Sequence, residues 1–126
     1  MAKVLIIEDN PDNLKIITYA LERGGYEVIS AERGEDGIML ALNEPLAFII
    51  MDINLPGIDG VETTRRIRAS KADGKIPIIA ITSFAMAGDR ERFLAAGCSG
   101  YLEKPVDPIT LVERIHHLLG IEPPKS

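Results

Sequence analysis

The sequence predicts a doubly wound α/β fold, a parallel five-stranded sheet covered by helices on both faces. Three short apolar runs carry that expectation: Val4-Leu5-Ile6-Ile7, Phe48-Ile49-Ile50-Met51 and Ile76-Pro77-Ile78-Ile79-Ala80-Ile81. A strand covered on one face alternates apolar with polar residues. An unbroken apolar run belongs to a strand buried on both faces, as in a parallel sheet. Segments of helical periodicity separate these runs, so the order reads β-α five times, which implies right-handed crossovers. A chain of 126 residues suits one domain whose core needs no disulfide or structural metal.

The elements follow in order. The first strand is Val4–Ile7. Asn10-Pro11-Asp12 caps the first helix with proline at its first position. Leu14, Ile17 and Leu21 share a face of it, and Gly24-Gly25 end it. Glu27–Ala31 is a weaker strand. A second helix starts near Glu35 with Ile38, Ala41 and Leu42 inward, and Pro45 follows its end. Phe48–Met51 is the third strand. A third helix starts near Asp59-Gly60, with Val61, Thr64 and Ile67 on one side. After the fourth strand, a helix from about Phe84 to Ala96 stops at Gly97. Ser99–Leu102 is the fifth strand. A last helix begins at Asp107-Pro108 and buries Ile109, Val112, Ile115 and Leu119. The expected division is a domain over 1–120 and a tail or linker stub over 121–126.

Composition narrows the function. Net charge is −5, a poor balance for a direct nucleic-acid binder. No apolar run is long enough for a membrane helix, and the amino terminus shows no basic flank or cleavage site, so a cytoplasmic protein is expected. A single cysteine, Cys98, excludes an internal disulfide and a cysteine-based zinc cluster.

Ligands of open α/β sheets bind beyond the carboxyl ends of the strands. There the sequence places Glu8-Asp9 after the first strand, Asp52 after the third, Thr82-Ser83 after the fourth and Glu103-Lys104-Pro105 after the fifth. One acid at a strand end is ordinarily a cap or turn residue. Acids ending two strands, with a lysine ending another, need more than capping. Two unit charges about 4 Å apart interact by about 4 kcal/mol at an effective dielectric of 20. Either Lys104 or a divalent cation must neutralise the acids. Carboxylate oxygens favour Mg²⁺, Mn²⁺ or Ca²⁺ over zinc. An aspartate beside such charges is also a nucleophile suited to phosphorus, with the Thr82 hydroxyl and Lys104 to meet the transferring oxygens.

These residues resemble the receiver domains of two-component response regulators, over nearly the whole chain from Lys3 to about Gly120. The matching motifs are Val4-Leu5-Ile6-Ile7-Glu8-Asp9-Asn10, Met51-Asp52-Ile53-Asn54-Leu55-Pro56-Gly57, Thr82-Ser83 and Lys104-Pro105. The resemblance implies a flavodoxin-like architecture, single-domain type, and a role for each residue. Asp52 matches the phosphoacceptor. Glu8 and Asp9 match the acidic pair serving Mg²⁺ (or Mn²⁺), joined by Asp52 and the backbone carbonyl of Asn54. Asn54, Ser83 and Lys104 match the phosphate-binding positions. Thr82 and Tyr101 match the switch pair, and Lys104-Pro105 a peptide bond often cis. The acidic pair is Glu-Asp where the family usually has Asp-Asp, which keeps the charge. The implied partners are a histidine kinase or histidine phosphotransferase and a downstream protein target. A phosphorylation-dependent homodimer is a further expectation; nucleic acid and membrane are not expected partners. The output face would be the fourth helix, fifth strand and fifth helix.

Two other classes start from similar residues. An aspartate-nucleophile phosphatase of the haloacid dehalogenase type places a second aspartate two residues after the first. Here that position is Asn54, which cannot act as general acid. A flavodoxin holds its flavin phosphate in a Ser/Thr- and Gly-rich loop, where this chain has Glu8-Asp9-Asn10-Pro11-Asp12. Among the remaining residues, His116 and His117 read as a solvated pair near a helix carboxyl end. Arg65, Arg66 and Arg68 read as a solvated face with Glu62 as ion-pair partner. Cys98, Met39 and Met86 read as packing residues. Phe84-Ala85-Met86-Ala87-Gly88 reads equally as a plain loop or as one reporting the state of Thr82.

Overall fold

The strand segments assemble into one sheet in the computed structural model, which describes residues 1–70, 75–83 and 86–121. The strands are β1 (Lys3–Ile7), β2 (Glu27–Ala31), β3 (Phe48–Asp52), β4 (Ile78–Thr82) and β5 (Gly100–Glu103). They alternate with α1 (Pro11–Arg23), α2 (Gly34–Asn43), α3 (Gly60–Ser70), α4 (Asp89–Ala96) and α5 (Leu111–Leu119). The strand order is β2-β1-β3-β4-β5, with every neighbouring pair parallel.

The unbroken apolar runs have the predicted consequence. Val4, Ile6, Phe48, Ile50, Ile79 and Ile81 face a core shared with α1 and α5. Leu5, Ile7, Ile49, Met51, Ile78 and Ala80 face a second core shared with α2, α3 and α4. Each fully buried Leu, Ile or Val contributes about 1.5–3 kcal/mol. Both cores hold the sheet rigid, so side chains at its carboxyl edge start from fixed positions.

Local chemistry sets the helix ends. Asn10 accepts from the backbone N–H groups of Asp12 and Asn13 at 2.9 and 3.0 Å, capping α1 as predicted. Four expectations are corrected. In α2 Ala41 is buried and Ile38 packs half-buried against the core as predicted, but Leu42 is exposed, and Gly34 and Gly37 complete the buried face instead. The fourth helix begins at Asp89, not near Phe84, because Gly88 adopts a left-handed φ of +89° just before it. Phe84 and Ala85 lie outside the described residues, and Met86 is exposed rather than packed, as is Met39. At the last helix, Asp107 Oδ1 accepts from Ile109 N–H at 2.9 Å. That turn competes with the helix, so α5 starts at Leu111 and Ile109 stands 89% exposed instead of buried. Of the expected tail 121–126, residues 122–126 lie outside the described residues.

No helix among the described residues is long and apolar enough to cross a membrane.

Candidate functional site

The strand order places β1 between β2 and β3, and ligands of such sheets bind where connections diverge to opposite sides of a strand. Glu8-Asp9 leaves β1 at this point, and Asp52 ends the adjacent β3. Glu8 N–H donates to Ala31 O at 3.0 Å. The ladder between β1 and β2 therefore continues one residue past Ile7 and fixes Glu8. Ile53 N–H donates to Ile81 O at 2.9 Å, which fixes the backbone just after Asp52 against β4.

Carboxylate oxygens of Glu8, Asp9 and Asp52 all lie within 4.8 Å of one another. Glu8 and Asp52 are 1% and 2% exposed; Asp9 is open to solvent. Lys104 Nζ donates to Asp52 Oδ1 at 3.0 Å and stands 3.3 Å from Glu8 Oε1. Its backbone N–H donates to Thr82 O at 2.8 Å, and the Lys104-Pro105 peptide is cis. Asp52 Oδ1 also accepts from Asn54 N–H at 3.0 Å. Glu8 Oε2 accepts from Asn10 N–H at 3.2 Å.

The cluster is short of positive charge, with three carboxylates against one ammonium. Burial, then the neighbouring Asp52, push the Glu8 carboxyl up to about 7, against the opposing pull of Asn10 N–H and Lys104. Burial works against the Lys104 ammonium, but Asp52 and Glu8 outweigh it and raise its pKa. Glu8 Oε1 is buried with no hydrogen-bond partner; Lys104 supplies charge at 3.3 Å without hydrogen-bond alignment. An orphaned buried carboxylate oxygen among hard oxygen donors fits a divalent cation of the Mg²⁺ or Mn²⁺ kind, and the exposure of Asp9 leaves a route for it.

The other predicted residues lie on the neighbouring strands β4 and β5 or just after them. Thr82 is buried at the end of β4, and Ser83 is exposed beside it. Tyr101, half-buried on β5, packs edge-to-face on Phe93 of α4 with ring centroids 5.8 Å apart.

Two expectations elsewhere are corrected. His116 is buried, not solvated, and its Nε2 lies 2.7 Å from Tyr26 Oη; His117 is exposed. Arg68 is not simply a member of a solvated face. Its Nε and Nη2 donate to Gly97 O at 3.0 and 2.7 Å, bracing the turn between α4 and β5. Arg66 does pair with Glu62, at 2.9 Å. Cys98 is buried, and its burial raises the thiol pKa, as fits a packing residue.

The chain is similar to known proteins over nearly its whole length. The family model described as the response regulator receiver domain matches residues 4–116. The polar-differentiation response regulator DivK of Brucella ovis is 38% identical over 117 residues, which cover 93% of this chain and 95% of that protein. The Vibrio cholerae chemotaxis protein CheY4 has a TM-score of 0.87 at 29% identity, over 94% of this chain and 98% of that one. A receiver domain from a sensor histidine kinase of Pseudomonas aeruginosa PAO1, solved with a magnesium ion coordinated in its active-site cleft, has a TM-score of 0.84. It is 37% identical, over 94% of this chain and 98% of that one. The family match runs through all five strands and both acidic turns, and the chain belongs to the response regulator receiver domain family.

Proposed function

We propose that this receiver accepts a phosphoryl group on Asp52 from a phosphohistidine, with Mg²⁺ or Mn²⁺ bound beside it. One observation supports this above the others. Asp52 is buried at the diverging edge of the sheet, with Lys104 at 3.0 Å on one of its oxygens and two further carboxylates grouped against it. Glu8, Asp9, Asp52 and the backbone carbonyl of Asn54 would hold the cation. When bound, it neutralises the acids and the transferring oxygens.

An Asp52 carboxylate oxygen attacks phosphorus. The O–P bond forms as the P–N bond to the donor imidazole breaks, and the imidazole departs neutral because its ring takes one proton from solvent. Lys104 leaves Asp52 Oδ1 to pair with a phosphoryl oxygen. The backbone of Asn54 and the Ser83 hydroxyl bond the other oxygens. Positioning and charge are most of what such a transfer requires. The Thr82 hydroxyl then moves toward the new phosphate and Tyr101 turns inward. That motion changes the face of α4, β5 and α5 and so the partner it admits. In this reading residues 1–120 are the signalling unit. A histidine kinase or histidine phosphotransferase supplies the phosphate, a protein target reads the face, and a phosphorylated homodimer is one form of output. The protein signals from the cytoplasm and promotes only its own phosphorylation and dephosphorylation.

The test is intact mass after incubation with acetyl phosphate, in Mg²⁺ and in EDTA, on the native chain and Asp52→Ala. One added phosphoryl group is expected with Mg²⁺ on the native chain alone. Stoichiometric labelling of Asp52→Ala would sink the assignment.

A further inference from the structure

We propose that Gly60 is a positioning residue for the phosphoryl site: its missing side chain lets the first turn of α3 lie directly on the backbone of Asp52 and so aims that carboxylate. The inference rests on the reading of Asp52 as phosphoacceptor. A Cβ at position 60 would collide with the carbonyl oxygen of Asp52. It would also lie 2.7 Å from the Cα of Ile53 and 3.0 Å from the carbonyl carbon of Asp52. All three atoms are backbone, so no side chain can swing away.

Backbone freedom does not explain a glycine here. Gly60 is absent from the described residues with positive φ. It is the first residue of α3, where alanine is the better helix former. What remains is the space. The contact is held from both sides. Gly60 N–H donates to Ile53 O at 3.0 Å, and Thr64 Oγ1 donates to Gly60 O at 2.8 Å. Gly34 and Gly37 differ, because the nearest atoms their Cβ would meet belong to the side chains of Thr63, Ile58 and Ile7.

The peptide between Asp52 and Ile53 is the group that would have to give way. It is bonded to the Cα that carries the Asp52 carboxylate. It also leads into Asn54, whose N–H holds Asp52 Oδ1 at 3.0 Å. A methyl group at 60 therefore displaces Asp52 relative to Lys104, Glu8 and Asp9. Displacements of about 1 Å cost such reactions about 10²-fold.

The experiment compares Gly60→Ala and Gly60→Ser with Gly24→Ala. Gly24 is remote from the acids, and a Cβ there would press on Val112 at 3.1 Å. Folded fraction, acetyl phosphate labelling rate per folded molecule, Mg²⁺ affinity and backbone amide shifts are read for each. Both position-60 variants are expected to fold and to label at least tenfold more slowly at saturating acetyl phosphate. Half-saturation should stay within about threefold, and the largest amide shifts should centre on residues 52–54. Gly24→Ala is expected to label within twofold of the native chain. Labelling by the position-60 variants within twofold of the native chain would overturn the proposal. So would a position-60 variant that stays unfolded at 4 °C, since the glycine would then serve the fold as a whole. If the native chain itself takes no phosphate, the phosphoacceptor reading fails. The amide shifts and Mg²⁺ affinity of the variants then still decide whether Gly60 places Asp52.

Discussion

At the carboxyl edge of the sheet, Glu8, Asp52 and Lys104 crowd two buried carboxylates and an ammonium into one spot, with Asp9 at its rim. At the amino edge, Tyr26 and His116 bury a neutral pair. Tyr26 Oη and His116 Nε2 lie 2.7 Å apart, and Tyr26 packs edge-to-face on Phe48 at 5.1 Å. The second pair meets the usual rule that buried polar groups find a neutral partner. The first breaks it, with like charges together and Glu8 Oε1 unbonded. Polar groups that serve the fold are satisfied within it, whereas those poised for a ligand are satisfied only when it arrives. Stability and ligand response should therefore separate between the two edges.

The sharpest break is at Asp52. Asp52→Asn is expected to lose phosphoryl uptake entirely, as read by intact mass. The same change removes one of three negative charges, so the metal-free protein should need more urea to unfold than the native chain. A clear loss of stability in EDTA would show that the acidic cluster is a structural ion pair like any other, and the contrast between the edges would fall.

The amino edge should behave in the opposite way. Tyr26→Phe leaves His116 buried without its partner and is expected to cost about 1–3 kcal/mol in urea unfolding. Its labelling rate should stay within twofold. Mg²⁺ sharpens the comparison from the other side. At ten times its Kd it should stabilise the native chain by about 1.4 kcal/mol. Thermal unfolding should show that increment intact in Tyr26→Phe and missing in Asp9→Ala.

Much of this contrast was legible in the sequence. Unbroken apolar runs can be satisfied only between two helical layers, so the sheet and the residues at its carboxyl edge follow from pattern alone. Glu8, Asp9, Asp52 and Lys104 end up together because each ends or follows a strand of one parallel sheet. The features that escaped depend on distances between elements far apart in the chain. Tyr26 and His116 are separated by ninety positions, and neither carries a local signal of the other. Arg68 looks like its exposed neighbours until Gly97 is placed beneath it. Gly60 looks like a helix-start glycine until β3 is laid against it. The late starts of α4 and α5 had signals, Gly88 and the Asp107 side chain, but each residue suits a cap or a turn equally well.

The smallest expected effect is a difference in pH response, and it has opposite signs at the two edges. Burial lowers the His116 pKa below its ordinary value of 6.5. The unfolded chain then binds the extra proton, so this contribution is full above pH 6.5 and is lost as pH falls below it. Glu8 runs the other way. Its folded value of about 7 exceeds the ordinary 4.5, so its contribution is full below pH 4.5 and is lost as pH rises through 7. In EDTA the two trends oppose each other across one window. His116→Gln should remove the loss on the acid side, and Glu8→Gln the loss on the alkaline side. Urea midpoints at half-unit steps from pH 5 to 8 read both. Mg²⁺ should flatten the alkaline limb and leave the acid limb unchanged, because a cation competes with protons for Glu8 and has no access to the pair between Tyr26 and His116. A cation that flattened both limbs would mean that the two ends of the sheet titrate as one network.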